Sequence, residues 1–301
     1  MIVQNQINAL SGNLVSIPAD MPYAAILGLI PSKGARSPVL WNAAFESLSV
    51  DTRMIPIDVS EQNILAMLKV LEADPHFVGG AIAAPHKDIA ANFCAANLTA
   101  EAASIGAINC LFRNSSGALC GTNTDGEGSL TAFESAFGDV SQKRILILGA
   151  GGTGKAVSAY FASKLDSLDQ LIISSRSNSA VILAKKLGCN SIGWSDIEKE
   201  SSQVDVIINC TSLGSSLQPG LTPLEKRAFE NIKADVTIYD VVYDPSETPF
   251  LLAASSFGLS SLNGLAMNFE QAVIGFHYAA TNGRNDLSVD EIRSAMKSAI
   301  A

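Results

Sequence analysis

The stretch KRILILGAGGTGKAVSAYFASK constrains the fold of this chain more than any other. ILIL is an unbroken apolar run without the alternation of a half-exposed strand, so it reads as a strand buried on both faces. A glycine-rich turn and an alanine-rich helical segment follow at once. Gly149, Gly151 and Gly154 stand in the order G-x-G-x-x-G. The three glycines allow, in turn, a tight bend, close approach of the backbone to a pyrophosphate, and close packing of helix on strand. The turn Gly149-Ala150-Gly151-Gly152-Thr153-Gly154 would then aim the N–H groups of a helix N-terminus at a phosphate. The same glycines would also suit a strand-to-helix turn that binds nothing. Strand, turn and helix in succession favour the dinucleotide site.

In such a fold the second strand ends about 20 residues further on, where a carboxylate holds the ribose hydroxyls of NAD. This chain has Ser174-Ser175-Arg176-Ser177 there and no acidic residue. A guanidinium at that place can pair with, and stack beside, a 2′-phosphate. Ser175, Arg176 and Ser177 are therefore expected to select NADP, the alternative being a solvated loop arginine.

Outside this motif, apolar runs alternate with helical patterns almost end to end, which predicts an α/β protein with mostly parallel sheets. YAAILGLI (Tyr23–Ile30), TRMIPIDV and FVGGAIAA read as strands. SPVLWNAAFESL reads as a helix with Ser37 as cap and Pro38 at its first position. NILAMLKVLEAD is an amphipathic helix, and AINCLFRNSSGALCGTNTDG a hairpin around the turn Asn114-Ser115-Ser116-Gly117. The pattern restarts near Asp125–Gly128. QLIISSR, VDVIINCT and VTIYDVVYD are further buried strands, and NGLAMNFEQAVIGFHYAA and VDEIRSAMKSAI are closing helices. A length of 301 residues fits about two domains.

Composition narrows function by exclusion. A net charge of −9 leaves no basic stripe for nucleic acid or an anionic membrane. The five cysteines, at 94, 110, 120, 189 and 210, show no C-x-x-C spacing and read as reduced core thiols. His76, His86 and His277 lack the spacing of metal ligands, so no metal site is expected. No leader pattern and no membrane-length apolar run is visible, which predicts a soluble cytoplasmic protein.

Hydride transfer from an alcohol needs a group that takes the hydroxyl proton. Lys87 follows a strand's C-terminal end, where α/β proteins place their ligands, and begins a helix, where the dipole disfavours a cation. Asp125, in GTNTDGEG, stands at the expected domain boundary, and Asn109, in GAINCL, ends another apolar stretch. Each has a structural alternative: a solvated charge, a turn or cap carboxylate, a turn amide.

Taken together, RSPVLWNAAF, APHK, GAINCL, NTDG, GAGGTGKA, SRS, INCTSLG, YDVVYDPSETPFL and GLAMNFEQA resemble the shikimate dehydrogenase family, in its motif order and over nearly the whole chain. The resemblance implies an N-terminal α/β substrate domain (1–124, completed by helices 265–301), a Rossmann-type NADP-binding domain (125–264) and a cleft between them. It implies an NADP-dependent oxidoreductase of aromatic amino acid biosynthesis that interconverts a cyclic polyhydroxy carboxylic acid and its keto form, as monomer or homodimer. By the same resemblance Lys87 and Asp125 are the acid–base pair, and Asn109 and Gln271 bind ring hydroxyls. Tyr243 and Ser37 hold the carboxylate, and Thr211 and the stretch Gly264–Met267 line the nicotinamide side. Lys87 can act as a base or as a charged stabiliser of the alkoxide, and both remain open.

Against the family's pattern, Ala35 replaces a serine, Ala81 an asparagine and Ala83 a threonine, and the loop from Gly28 to Ser37 is one residue longer, with Lys33 and Arg36 in it. Each lost hydrogen bond is worth roughly 0.5–1.5 kcal/mol. The cofactor half is intact, so a changed substrate such as quinate, or an NADP-binding regulator with little turnover, are the competing expectations.

Overall fold

Two sheets account for the strand-like runs of the sequence, in a computed structural model that describes residues 2–18, 21–280 and 287–298. The chain divides into two compact units, residues 1–124 with 271–301, and residues 125–270.

The first unit contains α1 (Ile2–Leu10), β1 (Tyr23–Gly28), α2 (Ser37–Ser47), β2 (Arg53–Asp58), α3 (Ile64–Ala73), β3 (Phe77–Ile82), α4 (Lys87–Phe93), α5 (Ala100–Ile105), β4 (Cys110–Arg113) and β5 (Leu119–Thr122). Strands run in the order β2-β1-β3-β4-β5. The first three are parallel, and β4 and β5 form the expected hairpin, antiparallel to β3 and to each other. Its turn is held by Asn114 Oδ1, which accepts from the backbone N–H groups of Ser116 and Ala118, both at 3.0 Å.

All six residues of β1 are buried, as the apolar run YAAILG requires of a strand covered on both faces. Tyr23, Ala25 and Leu27 pack with Ile57 of β2, with Ile64, Met67, Leu68 and Leu71 of α3, and with Ala90 of α4. Burial of each large aliphatic side chain contributes about 1.5–3 kcal/mol. Beyond that cluster, Trp41 and Phe45 of α2 meet Phe276 at ring-centroid distances of 5.4 and 4.7 Å.

The second unit contains α6 (Asp125–Phe137), β6 (Ile145–Leu148), α7 (Gly152–Ala162), β7 (Leu171–Ser174), α8 (Ser179–Leu187), β8 (Asn190–Ile192), α9 (Ile197–Ser201), β9 (Val206–Asn209), β10 (Thr237–Asp240), α10 (Pro249–Ser256) and β11 (Ser260–Leu262). Then come α11 (Gly264–Ala280) and, back in the first unit, α12 (Val289–Lys297). The six strands are all parallel, in the order β11-β10-β9-β6-β7-β8.

Alternation along the strands builds a core on each face. Ile145, Ile147, Ile173 and Ile208 pack with Phe133 of α6, Val157 and Phe161 of α7, and Met267 of α11. Leu146, Leu148, Ile172 and Ile207 pack with Ile197 of α9 and Phe250 of α10 on the other face. The result is a three-layer doubly wound unit whose strand order reverses between β6 and β9, the position where such sheets bind ligands.

Three sequence expectations shift. The strand expected to reach Ile30 ends at Gly28, because a 3-10 turn over Pro31–Lys33 begins at once. The strand expected over VTIYDVVYD ends at Asp240, where the Val242 N–H turns to the Asp240 carboxylate at 3.0 Å instead of to a neighbouring strand. The return to the first unit, expected at residue 265, falls at Gln271, inside the continuous helix α11.

Candidate active site

At one end of the first unit's sheet, register brings the segment after β3, which carries Lys87, against the segment before β4, which carries Asn109. Ala81 of β3 pairs with Cys110 of β4, and Cys110 with Thr122 of β5, so the end of β3, the start of β4 and the end of β5 coincide. Lys87 opens α4 there, half-buried, and its carbonyl accepts the Ile108 N–H at 3.1 Å. Beside it His86 is fully buried and donates from Nε2 to the Val59 carbonyl at 2.8 Å, which ties the segment to the end of β2.

Asn109 is buried, and its amide is the centre of a polar cluster. Nδ2 donates to Thr124 Oγ1 at 3.0 Å and to Gln271 Oε1 at 3.2 Å, while Oδ1 accepts the Thr124 N–H at 2.7 Å. Thr124 Oγ1 also donates to the Gln271 carbonyl at 3.0 Å. The structure therefore brings Asn109 and Gln271 together and adds Thr124, which sequence reading passed over.

Ser37, expected as the helix cap, does not take that position. Arg36 takes the cap position with helical φ −79 and ψ −25, and Ser37 is the first helical residue. The chain enters α2 from a 3-10 turn over Pro31–Lys33 that closes on a left-handed Gly34. Asp58 at the end of β2 anchors that loop, accepting the Ser32 N–H at 2.9 Å and the Ser32 hydroxyl at 2.6 Å. Nothing in the motif pattern singled Asp58 out.

In the second unit the glycine-rich turn follows β6. Gly149 has φ +107, a conformation that side-chain-bearing residues rarely adopt, and a Cβ there would lie 2.9 Å from Thr211 Cγ2. A Cβ on Gly154 would overlap the Gly149 carbonyl oxygen. Gly151 precedes α7, Gly152 begins it and Thr153 follows, with Ala150 buried behind the turn. Thr153 Oγ1 donates to Asp125 Oδ2 at 3.3 Å, so the buried Asp125 at the start of α6 is hydrogen-bonded to the turn.

At the end of β7, Ser175 accepts the Ala180 N–H at 2.9 Å and donates to the Ser177 carbonyl at 2.8 Å, which shapes the loop and helps start α8. Arg176 is exposed and makes no hydrogen bond or ion pair with the described residues. On the other side of β6, Thr211 follows β9, and Tyr243 follows β10, half-buried. Gly264 donates its N–H to the Val242 carbonyl at 3.0 Å and has no room for a Cβ, which seats the start of α11, and Met267 one turn later is buried in the core. The Cβ-free turn, the solvent-facing guanidinium and the missing carboxylate together fit a 2′-phosphorylated dinucleotide.

Behind Thr211 lies a buried polar relay that sequence reading missed. Asp240 accepts from Asn209 Nδ2 at 2.9 Å, from the Val242 N–H at 3.0 Å and from the Thr248 hydroxyl at 2.6 Å. Asn209 Oδ1 in turn accepts the Thr211 hydroxyl at 2.6 Å and its N–H at 3.0 Å. Burial pushes the Asp240 carboxyl up from 3.8 to about 6, against the three hydrogen bonds that favour its charged form. An acid closing the buried strand TIYD was the available signal.

The reversed sheet order, the glycine turn and the basic strand-end loop define a Rossmann-type dinucleotide-binding unit, here paired with a mixed-sheet unit carrying a buried amide cluster. Comparison with known proteins makes the assignment specific. The model of the shikimate dehydrogenase substrate binding domain matches residues 30–111, and that of shikimate / quinate 5-dehydrogenase matches residues 131–240. The NADP(+) shikimate dehydrogenase of Caldanaerobacter subterraneus is 33% identical over 261 residues, covering 84% of this chain and 90% of that protein. A shikimate dehydrogenase crystallised with NADP+ aligns with a TM-score of 0.79 at 26% identity, over 96% of this chain and 100% of that one. The enzyme of Thermus thermophilus in complex with NADP(H) and shikimate aligns at 0.76 and 26%, over 93% of this chain and 100% of that one. This chain belongs to the shikimate dehydrogenase family.

Proposed function

We propose that this protein oxidises shikimate to 3-dehydroshikimate and reduces the ketone back, with NADP as its redox partner. The observation that carries this reading is that the substrate-domain and dehydrogenase family models match the two units in turn, and that the second unit holds a glycine cradle with Arg176 at the adjacent strand end. When bound, NADP supplies hydride chemistry, taking a hydride from the alcohol carbon or returning it to the ketone.

The chain's own residues would do the rest. Gly149–Gly154 and the start of α7 bind the pyrophosphate, with Ser175, Arg176 and Ser177 at the 2′-phosphate and Thr211, Gly264 and Met267 towards the nicotinamide. Asn109 and Gln271 orient ring hydroxyls, and their existing hydrogen bond shows that the two amides are already held in one place. Ser37 and Tyr243 hold the carboxylate. Lys87 and Asp125 are the acid–base pair: Lys87 takes the hydroxyl proton as the carbon is oxidised and gives it back in reduction, and Asp125 accepts the hydrogen bond of the same hydroxyl. We place the enzyme in the cytoplasm, as monomer or homodimer, without a nucleic-acid partner for its net charge of −9.

Steady-state oxidation of shikimate and quinate, with NADP and with NAD, tests this reading. Shikimate turnover with NADP at least about tenfold above that with NAD is expected, from one charge-assisted 2′-phosphate contact. NADP binding without turnover of either acid would overturn it.

A further inference from the structure

The relay behind Thr211 holds one ionisable group, Asp240, which has no part in the proposed reaction. It is fully buried, at 0% exposure, and its side chain bonds the end of β9, the loop after β10 and the cap of α10. Thr248, its shortest partner, caps α10 by accepting the Leu251 N–H at 3.3 Å. Asn209, its other side-chain partner, passes the constraint on to Thr211, whose methyl stands where a Cβ on Gly149 would meet it at 2.9 Å. Sheet order gives this chain of contacts a direction. Arg176 follows β7 on one side of β6, and Thr211 and Val242 follow β9 and β10 on the other. A dinucleotide whose pyrophosphate lies on the turn after β6 must therefore send its second nucleoside over the relay's side.

We infer that Asp240 is a positioning residue for the nicotinamide-bearing half of the dinucleotide: through Asn209 it holds Thr211 against the Gly149 turn. The inference rests on the NADP reading above. Charge on Asp240 sets the direction of its bonds, since the carboxylate accepts from Thr248, whereas its protonated form would donate to it and leave the Thr248 hydroxyl proton to find another acceptor. Asp240 acts electrostatically on two buried groups, the Cys210 thiol and the Tyr239 hydroxyl, both pushed up chiefly by burial and therefore neutral; Asp125 of α6 acts on both.

The test is calorimetric binding of NADP+ and of 2′-phospho-ADP-ribose, which lacks the nicotinamide, to full-length wild type and Asp240→Asn, which mimics the protonated acid. At pH 8 the variant is expected to bind NADP+ about tenfold more weakly and the fragment within about twofold, because one aligned polar contact is lost at one half of the site only. In wild type the ratio of the two dissociation constants should rise as pH falls through about 6 and stay flat in the variant. Taking the ratio cancels titration of the 2′-phosphate, which both ligands share. An unchanged ratio in folded Asp240→Asn, or equal loss of both ligands, would overturn the inference. Should circular dichroism show Asp240→Asn unfolded, Thr248→Val, which keeps the shape and removes the hydroxyl, is held to the same ratio. Wild type that binds neither ligand would sink the NADP reading itself, and the relay's role with it.

Discussion

At the scale of single residues, the chemistry assigned to this chain turns on two cations with different surroundings. Lys87 is half-buried at the start of α4, and replacing it by Met removes the proposed proton carrier while keeping much of the stem. The expected outcome is a fall in kcat of about 10²–10⁴ with unchanged NADP+ affinity, read by stopped-flow hydride transfer and calorimetry. A parallel loss of NADP+ binding would point to a structural role instead. Arg176 is exposed and holds no partner among the described residues, so its replacement by Gln should cost little stability. It should raise KM for NADP about tenfold, less at high salt, and leave KM for NAD alone. The places of these two residues, at a helix start and after a strand end, were legible in the sequence because such positions are set by neighbouring residues. Asn109 was legible only by type: that its amide meets Gln271, 162 positions away, was not.

At the scale of elements, close approach and clamped loops carry the stability. Gly154→Ala forces α7 away from the turn after β6, since the new methyl would overlap the Gly149 carbonyl. A lower melting temperature and loss of NADP+ binding are expected together, at about 1–3 kcal/mol for overpacking. A thermal shift without added ligand, alongside calorimetry, checks both. Arg113 at the end of β4 donates to the carbonyls of Phe77, Gly117, Leu71, Glu72 and Asp74, so one side chain ties the hairpin to the last turn of α3. Arg113→Met strands several of those carbonyls and should destabilise by about 2–3 kcal/mol in urea unfolding. Activity per folded molecule should not change. Ser37 shows where local reading stopped: the cap position falls on Arg36, after a 3-10 turn pinned by Asp58, a partner that no spacing rule names.

At the scale of the whole molecule, stability should depend on pH through the buried acid. The Asp240 carboxyl is raised to about 6 by burial, so the folded state holds this proton more tightly than the unfolded chain does. Its contribution is fully present below about pH 4 and is lost as pH rises through about 6, on the order of 3 kcal/mol in all. Unfolding free energies at pH 5 and pH 8 should therefore favour wild type over Asp240→Asn by more at the lower pH. A constant difference would show that this acid does not couple to folding. The sequence by itself determined the class of each unit, the glycine cradle, the basic strand-end loop and the family, because all of these are carried by consecutive residues whose backbone does the work. Only the tertiary structure decided which polar groups share protons: Asn109 with Thr124 and Gln271, Asp58 with Ser32, Asp240 with Asn209 and Thr248. Those pairings depend on strand register and loop length, which are settled when a whole sheet buries its two faces and every polar group left inside must find a partner.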